Sequence, residues 1–201
     1  MKPNRSSRAL RIGLAFLVGA GVLAVLRPWT VVPIQTTVAR TFNPDEYVAS
    51  VWDSRVLPAA ESSALDLRTY FKANPRPAKA VFVKGTATVA AVDRKSRIGL
   101  ARLEQPAGQD AAAIQIGPVL RGTALRDALE FIRFTDFVNQ LEFVGVANAL
   151  NQRVITGVLG GVDVDGLAGR EIAFVGAVAA PAAGSALEIV PVRLQVAGGA
   201  K

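Results

Sequence analysis

Lys2, Arg5, Arg8 and Arg11 lead into an uncharged apolar run of fifteen residues, from Ile12 to Leu26. A basic flank ahead of a membrane-seeking core sends the rest of the chain across a bacterial-type membrane, and this constrains the chain more than any other feature. Fifteen residues fall short of the ~20 needed to span a hydrocarbon core and match the ~7–15 of a signal-peptide hydrophobic region. Extended from Ala9 to Trp29, the segment reaches a full span, with Arg11 and Arg27 snorkelling and Trp29 at the interface. Val18-Gly19-Ala20 offers small residues for cleavage, but it lies inside the apolar stretch and no Ala-x-Ala comes after it in a polar region. The reading taken is an uncleaved anchor, with Met1 in the cytoplasm and everything after Arg27 outside. Cleavage with release to the periplasm is the alternative, and a buried core helix is a third.

Charge divides at the same place. Of 23 basic residues, five lie at or before Arg27 with no acid among them. That leaves 18 bases against 16 acids beyond it, a net of +2 out of the total +7. The high pI therefore belongs largely to the anchor flank. Nucleic-acid binding needs a concentrated basic face, and the densest cluster, Arg94-Lys95-Ser96-Arg97, reads as a solvated turn. No nucleic-acid partner is expected.

The chain has no Cys and no His. An exported domain without Cys is held by its core alone. The two absences together exclude Cys-His and Ser-His-Asp catalysis and disfavour the usual zinc and copper sites. No cofactor and no metal are expected.

Residues 27–40 read as extended around Pro28 and Pro33. Asn43-Pro44-Asp45-Glu46 is a helix start: a cap residue, a proline, then two acids in the first turn. Tyr47, Val48, Val51, Trp52 and Val56 then share one face. Pro58 is expected to kink or break this helix, and Ala60, Ala64, Leu67 and Phe71 continue at helical spacing. Asn74-Pro75-Arg76-Pro77 closes the segment. From Lys79 the period becomes two, with Val81, Val83, Ala87, Val89 and Ala91 alternating with polar residues. A turn at residues 93–96 precedes a returning strand over 97–103, a polar loop over 105–110 and a third strand over 112–120, bulged at Gly117-Pro118. Thr123 is placed to cap a short helix through Leu129. Residues 131–143 are ambiguous. Phe143, Ala147, Leu150, Val154 and Val158 form a helical stripe that Gly160-Gly161 ends. Strands over 171–179 and 187–196 close the chain.

Five strands with a helix between the third and fourth is the pattern of a small Greek-key barrel of the OB type. The expected fold is α+β: an OB-like β-barrel with a helical subdomain, behind the N-terminal helix. An open sheet with helices on one face is the alternative. The expected divisions are 1–29 for flank and anchor, 30–77 for linker and helical subdomain, and 78–201 for the barrel with inserted helices.

Several runs resemble a known family. They are Thr30-Val31-Val32-Pro33-Ile34, the segment Phe42-Asn43-Pro44 continuing through Trp52-Asp53-Ser54, and Ile116-Gly117-Pro118 continuing through Leu129. The runs Phe134-Thr135-Asp136 through Phe143 and Val146-Ala147-Asn148-Ala149-Leu150-Asn151 extend the match. Together they resemble a bacterial family described as predicted periplasmic lipoproteins of unknown function, often encoded beside ABC-type sugar uptake systems. The resemblance implies a helical part joined to an OB-like barrel, facing outward and tethered to the membrane. It also implies a lipid-bearing Cys just before Thr30, where this chain has Trp29. A retained helical anchor would supply the same tether. The family brings no active site to carry over.

Two groups are candidate sites. Arg121, Gly122, Thr123, Arg126 and Asp127 lie where a strand feeds a helix start, and helix N–H groups with an Arg can hold a carboxylate, a phosphate or sugar hydroxyls. An ordinary capped helix with a surface Arg126–Asp127 pair is the competing account. Asn139, Gln140, Asn148, Asn151 and Gln152, with Trp52 or Phe rings nearby, would suit a neutral sugar. Amides that satisfy irregular backbone compete with that account. Asp163-Val164-Asp165-Gly166 fails as a calcium loop, since the twelfth position is Phe174, and reads as a turn. Asp53 and Asp136 are carboxylates without an evident partner. Arg121, Thr123 and Asn139 are expected to share one cleft near the membrane-distal barrel mouth.

The expected function is a non-enzymatic, membrane-tethered periplasmic accessory protein, solute-binding or transporter-associated in a sugar uptake system. Its expected partners are the inner membrane, ABC-type sugar transporter components, and a sugar or sugar acid. A structural envelope interaction module without a small ligand is the alternative. An uncleaved anchor predicts that intact-mass measurement of membrane-extracted protein finds residues 1–27 retained. A mass beginning near Gly21 or later would contradict the anchor.

Overall fold

The computed structural model describes residues 42–73, 79–104, 111–179 and 186–197. The basic flank, the apolar run and the linker to residue 41 lie outside the described residues. Among those described, no helix is long and apolar enough to cross a membrane.

The first element opens as its sequence dictates. Asn43 caps α1 (Pro44–Val51), its side-chain oxygen accepting from the N–H groups of Asp45 at 3.0 Å and Glu46 at 3.4 Å. Pro58 does not break the chain there. Pro has no N–H for the carbonyl four residues back, and the turn before it is widened into a π segment, Trp52–Val56, whose last bond runs from Leu57 N–H to Trp52 O. Helix α2 (Leu57–Ser63) comes directly after. Val48, Val51, Trp52 and Val56 are buried, and Tyr47 is half-buried.

The expected helix through Ala60, Ala64, Leu67 and Phe71 is interrupted. Ala64 turns extended, β1 (Leu65–Asp66) pairs in parallel with the next long strand, and Asp66 caps α3 (Leu67–Ala73) through the N–H groups of Arg68 and Thr69. A local Asx cap here prevails over a continuous helical spacing. Within α3 the Tyr70 hydroxyl is buried with no partner among the described residues, and burial pushes its pKa up.

Five further strands make the barrel: β2 (Val81–Asp93), β3 (Leu100–Leu103), β4 (Ala112–Gln115), β5 (Glu171–Val178) and β6 (Leu187–Val196). Their order is β2-β3-β4-β6-β5, and β5 returns to pair with β2, which closes the sheet. All neighbours are antiparallel except β4 and β6, which run parallel through Ala112–Leu187 and Ile114–Ile189. The barrel is thus closed rather than open, and its order is that of an OB barrel. Closure needs sharp bends. β2 shifts register between Val89 and Ala91, and β5 between Val175 and Gly176. At the second bend, Gly176 faces Pro191; a Cβ there would overlap Ile189 and lie 2.7 Å from the Val190 carbonyl.

Strand β4 is shorter than expected. Gly117 and Pro118 lie beyond it, although Ile116 N–H still reaches Gly99 O at 3.0 Å. Between β4 and β5 come α4 (Ala124–Asp127), a 3-10 turn at Phe134–Asp136, and α5 (Gln140–Arg153). Helix α5 runs on into a second π segment, Val154–Leu159, before Gly160. Ala147, Leu150 and Val154 are buried, as the stripe requires. α5 packs on α1, and its π segment on β6. Gly145 permits the first contact, since a Cβ there would lie 2.8 Å from Pro44 Cγ.

Leu150 is fully buried among core residues. Leu150→Ala should cost about 2–5 kcal/mol in transfer and cavity terms. An unchanged urea midpoint would show that the α5 face carries no core packing.

Candidate functional site

The strand-to-helix junction is built mainly from hydrogen bonds that serve the fold. Gln115, at the end of β4, is buried. Its Oε1 accepts from Arg121 N–H at 2.7 Å, and its Nε2 donates to Glu188 Oε2 at 2.9 Å. The exposed Arg121 guanidinium reaches across to Glu188 Oε1 on the neighbouring strand. Gly122 takes a φ of +90°, a conformation that favours glycine. The carbonyl of Gly122 accepts from Asn151 Nδ2 at 3.0 Å, which occupies that buried amide.

Thr123 precedes α4, but its hydroxyl makes no backbone cap. It donates to Asp127 Oδ2 at 2.6 Å instead. The other Asp127 oxygen accepts from Arg126 Nε at 2.9 Å and from a terminal guanidinium nitrogen at 2.7 Å. Arg126 is not a surface residue. It is 8 % exposed, lies 3.8 Å over the Phe143 ring, and donates to Phe143 O at 3.2 Å. A planar cation between a ring and a carboxylate joins α4 to α5.

The amide group falls apart in space. Asn139 is exposed and caps α5, accepting from Glu142 N–H at 3.0 Å. Gln140 and Asn148 are exposed on the same helix. Among the described residues no hydrogen bond links Asn139 to Arg121 or Thr123. Asp136, without an evident partner in the sequence, is held by Arg133 three residues earlier, whose guanidinium donates at 3.0 and 3.3 Å. Those bonds hold the Asp136 carboxyl below its ordinary pKa. Asp163 accepts from Gly166 N–H at 3.2 Å, as a turn does.

The ambiguous segment is an aromatic knot. Phe42, Tyr47, Phe137, Phe143 and Phe134 stack in sequence with ring centroids 5.4–5.8 Å apart. Its outer side is apolar and open. Val138 is 90 % exposed, Leu141 83 %, Phe134 54 % and Val144 40 %.

A groove of about 340 Å³ lies elsewhere, and no residue of the two candidate groups lines it. Trp52 and Asp53 come from the first π segment, Arg153, Gly157 and Val158 from the end of α5 and the second, and Arg193 from β6. Trp52 is the one lining residue that the sequence suggests as an aromatic wall. Asp53, Arg153 and Arg193 stand in three remote segments, with no spacing to join them. In the sequence Asp53 is only a loose carboxylate, and Pro58 is the one local hint of a distorted helix.

The chain matches, over residues 15–195, the family described as predicted periplasmic lipoprotein (DUF2291). The chain belongs to that family. It is accordingly a periplasmic protein by family. It has no cysteine to carry the lipid that the family description names. A crystal structure of an OB-fold protein from Thermotoga maritima is similar, with a TM-score of 0.56 and 14 % identity over 77 % of this chain and 98 % of that one. At that identity the likeness concerns the fold, and it agrees with the strand order. No curated protein matches the chain.

The two arginines should separate on substitution. Arg126→Ala takes a donor from the Phe143 carbonyl and opens a gap beside its ring, so a loss of about 1–3 kcal/mol is expected. Arg121→Ala removes an exposed ion pair and should cost under about 1 kcal/mol. Equal urea midpoints for the two variants would contradict these assignments.

Proposed function

We propose that this family member is a non-enzymatic, membrane-tethered periplasmic accessory protein that works by docking on a membrane-embedded partner. The observation that carries the reading is the open apolar face of Phe134, Val138, Leu141 and Val144. Soluble proteins seldom leave neighbouring large apolar side chains this exposed, and such patches mark contact surfaces. It borders the aromatic knot. Phe42, where the N-terminal segment joins the described residues, packs its ring 5.4 Å from Phe137, next to Val138. With no cysteine for a lipid, the apolar run from Ile12 to Leu26 is the segment suited to hold the protein at the inner membrane.

The partner proposed is the membrane subunit of an ABC-type sugar uptake system. That choice rests on the family resemblance, while the apolar face supports docking in general. It favours a protein contact over a sugar held by Arg121, Thr123 and Asn139, whose side chains are occupied in the fold or spread along the surface.

Val138→Asp with Leu141→Asp tests the face. Both side chains are exposed, so stability should change by no more than about 0.5 kcal/mol per site. Co-purification of the transporter's membrane subunit from detergent extracts should be lost in the double variant and kept in Arg102→Gln. Retention in the double variant, or no co-purification with the unaltered chain, would overturn the proposal.

A further inference from the structure

The groove between the two π segments has the makings of a small-molecule site. π segments are rare, arise mostly as single widened turns, and are frequent at functional sites. Here two of them border one groove, where they set Trp52 and Asp53 opposite Gly157 and Val158. The groove is open to solvent and mainly polar, and its volume, about 340 Å³, leaves room for a small polar molecule. Its charges are unevenly used. Arg193 is paired with Glu61 at 2.5 Å. Arg153 and Asp53 make no ion pair, with each other or with any other described residue. Arg153 lies 5.9 Å from the Trp52 ring and beside Gly157, where a Cβ would meet Arg153 Nε at 3.7 Å. A free guanidinium, a free carboxylate and apolar walls at Leu57 and Val158 thus face one space.

We propose that this groove binds a small carboxylate carrying a hydrogen-bond donor near its carboxyl group, a hydroxyl or an ammonium. Arg153 takes the carboxylate through two parallel N–H donors. Asp53 can only accept while ionised, and so selects the donor on the neighbouring carbon. Val158 and Leu57 limit the size of the remaining substituent. The site goes beyond the docking face. Leu141 and Arg153 lie twelve residues apart on α5, about 18 Å along its axis, so either can fail alone.

Trp52 supplies the reporter. The full chain carrying Trp29→Phe keeps Trp52 as its only tryptophan. Its fluorescence is read during titration with lactate (hydroxyl), alanine (ammonium) and propionate (no donor). Saturable change with lactate or alanine is expected, and which of the two binds identifies the donor. Propionate should bind about tenfold more weakly or worse. Arg153→Gln should weaken binding by about tenfold or more. Gly157→Leu fills the groove without a backbone clash and should abolish binding while leaving the melting temperature near that of the parent. No saturable response below about 10 mM, equal affinity for propionate, or binding that survives both variants would overturn the proposal.

Discussion

The pairing of β2 with β5 is the constraint on which the rest of the molecule depends. Val81 to Thr88 meet Val178 to Glu171 in unbroken antiparallel register, and this ladder turns the five-strand sheet β2-β3-β4-β6-β5 into a closed tube. Without it β5 would be left with β6 as its only neighbour and a bare edge. In the closed tube β4 lies in parallel beside β6, and the chain crosses between β4 and β5 outside the barrel. The crossing carries α4 and α5, and their apolar faces have to be buried. The segment before the barrel supplies the cover, since α1 packs on α5. β4, between β3 and β6, is buried on all four of its residues.

The helices that cover the barrel are irregular where they do so. Pro58 denies one backbone bond, and the turn before it widens. The end of α5 widens likewise as it reaches β6. A widened turn moves side chains out of the regular 3.6-residue stripe. In this way Asp53 and Arg153, on the polar side of their helices, come to face a groove whose third side is β6. The open apolar face has a different origin. It is the outer side of an aromatic knot whose inner rings are half-buried, with α5 capped by Asn139 at its rim.

Features with a local cause are the legible ones. Asn43-Pro44-Asp45-Glu46 announces the start of α1, and alternation over most of their length announces β5 and β6 nearly to the residue. Strand count and the helix between the third and fourth strands point to the barrel type, but an open sheet fits them too, since the closing β2–β5 pairing leaves no local mark. Leu65 and Asp66 are hidden because Ala60, Ala64, Leu67 and Phe71 keep a helical period across an Asp that caps a new helix. Arg121 looks free for a ligand because Glu188, its partner, is 67 positions away. Arg126 looks exposed because the ring beneath it belongs to Phe143, in a segment with no clear period. The groove draws on three segments that only the closed barrel brings together, and the exposure of Val138 and Leu141 depends on which way the knot turns.

That this protein acts through its open apolar face is best tested by placing a photo-activated crosslinking residue at Leu141 in the full chain, within intact membranes. Irradiation should give one discrete adduct whose second component is a transporter membrane subunit, and the same probe at Arg102 should give none. No adduct from position 141, or the same products from both positions, would contradict the account.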